Sequence, residues 1–163
     1  MTVAADVVVI GIGNPYRRDD GVGPAVAAAV AALGRRGVRV VTCAAEPTAI
    51  LDAWAGATLA VVVDAAAGGT PGRVRVGTLE DFAEPVVVSS HDLSVRATYE
   101  LAAVLGRAPA ALRVVTVDVA EVGHGEGRSP AVAAALPAAV RAVLSVIGDR
   151  ALQRAEKTAH QQS

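Results

Sequence analysis

Three residues of this chain have the types from which a divalent-cation site is built: Asp20, Asp64 and His91. Two carboxylates and one imidazole suit a borderline cation such as zinc or nickel, and three protein ligands leave a coordination position open for water or substrate. Their spacing is not diagnostic, because they lie far apart in sequence and form no local signature such as H-E-x-x-H. Each also has a plainer reading: Asp20 as a carboxylate favoured by a helix N-terminus, Asp64 as a turn residue at a strand end, and His91 as a polar residue ahead of a capped helix. Taken singly, each of these roles is commoner than metal ligation.

Other reactive side chains make weaker cases. Cys43 follows an apolar run with no base beside it in sequence, which reads as a small buried hydrophobe and not a nucleophile. Ser89 and Ser90 adjoin His91 but lack the G-x-S-x-G elbow, so they read as loop or capping residues. His124 sits in Gly123-His124-Gly125-Glu126-Gly127, a glycine-rich turn, and His160 in a polar terminal stretch is given no role. Gly11-Ile12-Gly13 invites comparison with a dinucleotide-binding loop, but the third glycine of that pattern would fall at Tyr16, and Asp19 and Asp20 would repel phosphate. No G-x-x-x-x-G-K-[ST] exists, and the chain's lysine is Lys157, so a P-loop is excluded.

Composition narrows the partners. The chain has 163 residues, of which 53% are hydrophobic, mostly Ala and Val, so it is long enough for one well-buried core. Aromatic residues at 2% leave almost nothing on which bases could stack, and a net charge of −1 provides no field for phosphate backbones or anionic lipid. Nucleic acid and membrane are not expected partners, the apolar stretches being broken by Arg, Gly and Pro before they reach spanning length. A single cysteine rules out an intrachain disulfide, and the first residues lack the pattern of a secretory signal, so a cytoplasmic protein is expected.

The elements that must position these residues alternate in type. Apolar, β-branched runs at Val7–Ile10, Val38–Thr42, Thr58–Val63 and Arg113–Val119 predict strands, with shorter candidates at Val74–Val76 and Pro85–Val88. Helices are predicted from about Ala25 to Leu33, over Pro47–Trp54, from a Ser90 or Asp92 cap through Leu105, and from Pro130 to around Ile147, after which the chain turns polar and is expected to fray. This order predicts a single α/β domain over residues 1–150, a three-layer sandwich whose doubly wound, mostly parallel sheet carries helices on both faces, followed by a polar tail at 151–163. In such folds the ligand crevice lies beyond the carboxyl ends of the strands, near a topological switch point. Asp20, Asp64 and His91 all fall in, or at the start of, loops that follow predicted strands.

The run Gly11-Ile12-Gly13-Asn14-Pro15-Tyr16-Arg17-Arg18-Asp19-Asp20-Gly21-Val22-Gly23 closely resembles the G-x-G-N-x-x-x-x-D-[DE]-x-x-G opening of the nickel-iron hydrogenase maturation proteases. Val61-Val62-Val63-Asp64-Ala65 resembles that family's apolar strand ending in aspartate, Ser89-Ser90-His91 its polar-polar-histidine segment, and Gly127-Arg128-Ser129-Pro130-Ala131-Val132 its G-x-S-P-x-V pattern. The resemblance spans nearly the whole chain. It implies that Asp20, Asp64 and His91 are catalytic-site metal ligands, and that the metal is nickel presented by the substrate. It further implies that the substrate is the precursor of a nickel-iron hydrogenase large subunit, shortened at its C-terminus after nickel insertion. The position of Asp20 is often Glu in the family, so its reach here is shorter. Two rival readings share the crevice: a metal-dependent docking or chaperone module that cleaves nothing, and a metallohydrolase acting on a small molecule.

Overall fold

The computed structural model describes residues 7–14, 16, 18–44, 46–82, 90–120 and 128–162, without the side chains of residues 18, 90–94, 151–155 and 158. Among the described residues five strands form one sheet: β1 (Val7–Ile12), β2 (Val38–Cys43), β3 (Leu59–Ala66), β4 (Val74–Gly77) and β5 (Ala111–Asp118). Their order is β2-β1-β3-β5-β4, parallel throughout except for β4, which runs antiparallel at one edge. β1 and β3 are buried at every residue, which is why both read as unbroken apolar runs; a strand covered on both faces has no solvent side on which to place polar residues. At the other edge β2 alternates partly buried Val38, Val40 and Val41 with exposed Arg39 and Thr42.

Helices cover both faces. On one, α1 (Val22–Ala32) and α4 (Pro130–Gln161) press Val22, Val26, Val30, Val132, Val143 and Ile147 onto Val7, Val9, Val61, Val63, Val115 and Val117. On the other, α2 (Pro47–Trp54) and α3 (Ser90–Val104) cover Val8, Ile10, Ile12, Ala60, Val62 and Leu112 with Ile50, Trp54, Val95 and Ala102. Trp54 is fully buried and meets Tyr99 edge-on, the ring centroids 6.3 Å apart at 78°. The predicted three-layer, doubly wound sandwich is therefore what the chain forms.

Four local expectations change. The strand expected to stop at Asp64 continues to Ala66, because β5 is long enough to pair with it through Ala66 opposite Asp118. Ser90 and Asp92, expected as caps, both lie inside α3. The last helix does not fray near Ile147 but runs on through Gly148 to Gln161, a stretch rich in the helix formers Ala, Arg, Gln, Glu and Lys. Pro130–Arg150 is moreover long and apolar enough to cross a membrane, with mean hydropathy 1.9, despite the interruptions by Pro137 and Arg141. In this fold it lays the stripe Val132, Ala135, Ala139, Val143 and Ile147 on the sheet. The candidate strand Pro85–Val88 and the Gly123–Gly127 segment fall outside the described residues.

Candidate functional site

After β1 the chain must turn at once, and three close approaches show how. A Cβ at Gly11 would lie 2.7 Å from the Ala27 Cβ, and one at Gly23 would lie 2.6 Å from the Val63 carbonyl oxygen, so the start of α1 rests directly on β1 and β3. Gly13, with φ +148°, runs so near the Asp20 carbonyl oxygen that any Cβ would overlap it. The glycines Gly11, Gly13 and Gly23 thus serve close backbone contact.

This packing brings in the two acidic residues as a divided pair. Asp20 and Asp19 occupy a 3₁₀ turn, Arg18–Gly21, that lies against β3. Asp20, 4% exposed, accepts the Asn14 N–H on Oδ2 at 2.9 Å, and Asn14 Oδ1 in turn accepts the Tyr16 N–H at 2.9 Å. Asn14 therefore acts as a turn residue in this structure. Asp19 points the other way. Fully buried, it accepts the Ala120 N–H at 2.9 Å, the Ser129 N–H at 2.6 Å and the Ser129 hydroxyl at 2.9 Å, tying the first loop to the end of β5 and the start of α4. Ser129 precedes α4 yet makes no side-chain cap bond, its hydroxyl being committed to Asp19.

Asp19→Ala is expected to cost about 2–3 kcal/mol, since it leaves two backbone donors and a hydroxyl unpaired at once. Ser129→Ala removes one hydroxyl bond and is expected to cost about 1 kcal/mol. Urea unfolding midpoints check both, and equal, negligible shifts would contradict the tie.

Asp64 lies within β3, 1% exposed, with Oδ1 accepting the following Ala65 N–H at 2.8 Å. It is neither a turn residue nor a solvated one. Register places it opposite Thr116 of β5, which in turn lies opposite Arg75 of β4. Cross-strand partners share a face, so Asp64, Thr116 and Arg75 form one polar row at strand spacings of about 4.8 Å. Two residues further along β5, fully buried Asp118 lies 3.5 Å from the Arg75 guanidinium, which also stands 5.2 Å over the Phe82 ring. This row went unseen in the sequence because Arg75, Thr116 and Asp118 are scattered singly through apolar strands; only the β5 register joins them.

His91 is the second residue of α3. The chain leaves that helix near Gly106 and enters β5 beside the start of β3, where Ala110 and Ala111 donate to the carbonyls of Ala57 and Thr58. A helix of 15 residues spans about 22 Å, so its beginning, with the His91 backbone, lies toward the carboxyl ends of the strands. Asp20, Asp64 and His91 accordingly share that edge of the sheet, and β1 and β3 flank the point where chain connections leave in opposite directions. Among the described residues no three His, Cys, Asp or Glu side chains form a metal-holding group; the imidazole of His91 is outside them.

Cys43 ends β2, opposite Ile12. Burial pushes its thiol above the ordinary value, and the negative charges of Asp64 and Glu46 push it the same way. A raised thiol is protonated near neutral pH, which supports the reading of Cys43 as a small packed hydrophobe. Cys43→Ala is expected to leave any hydrolytic rate within about twofold. Alkylation of Cys43 should be slow at pH 8, climb with pH, and accelerate when Asp64→Asn removes one of the opposing charges; fast, pH-independent labelling at neutrality would contradict this.

No protein-family model matches the chain, and no curated protein matches its sequence. Solved structures do match. The hydrogenase maturating endopeptidase HybD of E. coli superposes with a TM-score of 0.75 at 21% identity, over 88% of this chain and 93% of that one. The NiFe hydrogenase maturation protease HybD of Thermococcus kodakarensis gives 0.73 at 21% identity, over 86% and 97%. The hydrogenase 2 maturation peptidase of Thaumarchaeota archaeon SCGC_AB-539-E09 gives 0.63 at 24%, over 87% and 97%. At these identities the likeness concerns architecture: this chain has the fold of these hydrogenase maturation proteases.

Proposed function

We propose that this chain is an endopeptidase that removes the C-terminal extension of a nickel-iron hydrogenase large-subunit precursor once nickel has been inserted. In this reading Asp20, Asp64 and His91 grip the nickel that the precursor presents, and the protein acts in the cytoplasm, where a single unpaired thiol suits reducing conditions. The observation that carries it is the delivery of two buried carboxylates, from a 3₁₀ turn and from a central strand, to one sheet edge of a fold shared with maturation proteases. Carboxylates withdrawn from water favour a cation brought to them, and their oxygens, with an imidazole, are suitable donors for nickel.

The protein's own part is mostly positional. Gly13, Asn14 and the 3₁₀ turn fix Asp20; the β3 ladder fixes Asp64; the first turn of α3 carries His91. A nickel held there by the substrate's own ligands places the adjoining peptide over the site, where the ion can polarise the scissile carbonyl or an attacking water. The raised Cys43 thiol is a poorer nucleophile near neutral pH than an ordinary one.

The test is incubation with loaded precursor, followed by intact mass. A product shortened by the extension is expected. A stable complex that never yields product would favour a docking module instead, and turnover of a small ester or amide with no action on the precursor would favour the small-molecule hydrolase.

A further inference from the structure

The chain contains four aromatic side chains, Trp54, Tyr16, Tyr99 and Phe82, and three of them are occupied. Trp54 is in the core, Tyr99 packs edge-on against it, and Phe82 lies beneath the Arg75 guanidinium. Tyr16 alone among the described aromatics stands out from the surface, 66% exposed. Its backbone is held in place by hydrogen bonds. Its backbone N–H is held by Asn14 Oδ1, and the Asn14 N–H is held by the carboxylate of Asp20, so two hydrogen bonds of 2.9 Å link the backbone that carries the ring to the residue proposed to grip the substrate's metal.

An exposed aromatic ring on a hydrogen-bonded backbone position has part of its ordering cost already met, and tyrosine gives a large contact area with few rotatable bonds. The other large exposed apolar side chains do not share this setting: Leu101 and Val104 lie on α3 with Leu105 just after it, Leu33 follows α1, and Val76 lies on the edge strand β4.

From this we infer that Tyr16 is a specificity-determining contact for the proposed reaction, its ring packing against the folded surface of the precursor beside the metal and holding that protein in register over the site. The inference rests on the protease reading for the identity of the partner, but not for the existence of the contact. Because the ring acts in docking and touches no reacting atom, its loss should fall on KM and leave kcat in place.

The experiment measures both steps on the nickel-loaded precursor: affinity by titration and processing by intact mass, for the unmodified protein, Tyr16→Ala, Tyr16→Phe and Val104→Ala. Tyr16→Ala is expected to raise Kd and KM about tenfold with kcat within about twofold, Tyr16→Phe to recover most of the affinity, and Val104→Ala to change neither. Thermal melting of Tyr16→Ala should match the unmodified protein, since the side chain is exposed. Unchanged Kd in Tyr16→Ala overturns the inference while the protease reading stands on cleavage. Weakened binding without cleavage by any form supports the contact and overturns the protease reading. Absence of both binding and cleavage overturns both.

Discussion

Asp64→Asn is expected to slow removal of the extension at least about 100-fold while leaving the fold in place. The substitution keeps the size of the side chain and an Oδ1 acceptor for the Ala65 N–H, so β3 and its pairing with β1 and β5 have no reason to change. What disappears is the negative charge, and with it the anionic oxygen that a divalent cation requires. Asp20→Asn should act in the same direction, the Asn14 N–H bond surviving on the amide oxygen. The check combines initial cleavage rates with melting curves. A variant that folds normally and cleaves within a few-fold of the unmodified rate would remove Asp64 from the site.

Gly13→Ala is expected to cost at least about 4 kcal/mol, and to abolish processing through loss of loop geometry. Two penalties coincide there. The backbone has φ +148°, a conformation that L side chains rarely adopt, and the added methyl would overlap the backbone oxygen of Asp20, which no rotamer change can move aside. Relief would require shifting the 3₁₀ turn, and with it Asp19 and its three bonds to Ala120 and Ser129. Gly34 provides the control, having positive φ but open space around its Cα; Gly34→Ala should cost only about 1 kcal/mol. Comparable midpoints for the two alanine variants in urea unfolding would show that the close approach carries no energy.

The architecture was legible in the sequence where the physics is local. Pro47–Trp54 is helical over the predicted span, since Pro at its first position and Ile50, Leu51 and Trp54 on one face specify both its start and its buried side. β1, β2 and β3 were recognisable because strands of this kind need continuous or alternating apolar side chains and little else. Where tertiary pairing decides, the reading fell short. Asp64 looked like a strand end because a carboxylate in a sheet is costly, yet β5 extends the ladder past it. The α4 helix was ended too early because Gly148 and polar residues weaken helix expectation without forbidding it.

The site was legible only in part. Asp20 and Asp64 could be chosen by residue type and by position after apolar runs, but nothing local distinguished Asp20 from Asp19. The structure separates them by direction alone, Asp19 turning inward to Ser129 and Asp20 toward Asn14. Asp19 was missed as a tie because its partners are more than a hundred residues away, and the Ser129-Pro130 pattern reads equally well as an ordinary helix start. The row of Asp64, Thr116 and Arg75 depends wholly on strand register, which no single segment encodes.

The central claim is that this edge of the sheet reads the metal carried by a protein substrate, and the most direct measurement compares cleavage of nickel-loaded and nickel-free precursor side by side, by intact mass, at equal concentrations. Processing of the loaded form alone, at least about 100-fold faster than the nickel-free form, is the predicted result. Equal rates on the two forms would contradict the account, because Asp20, Asp64 and His91 would then have no metal to grip and the peptide would be recognised by other means.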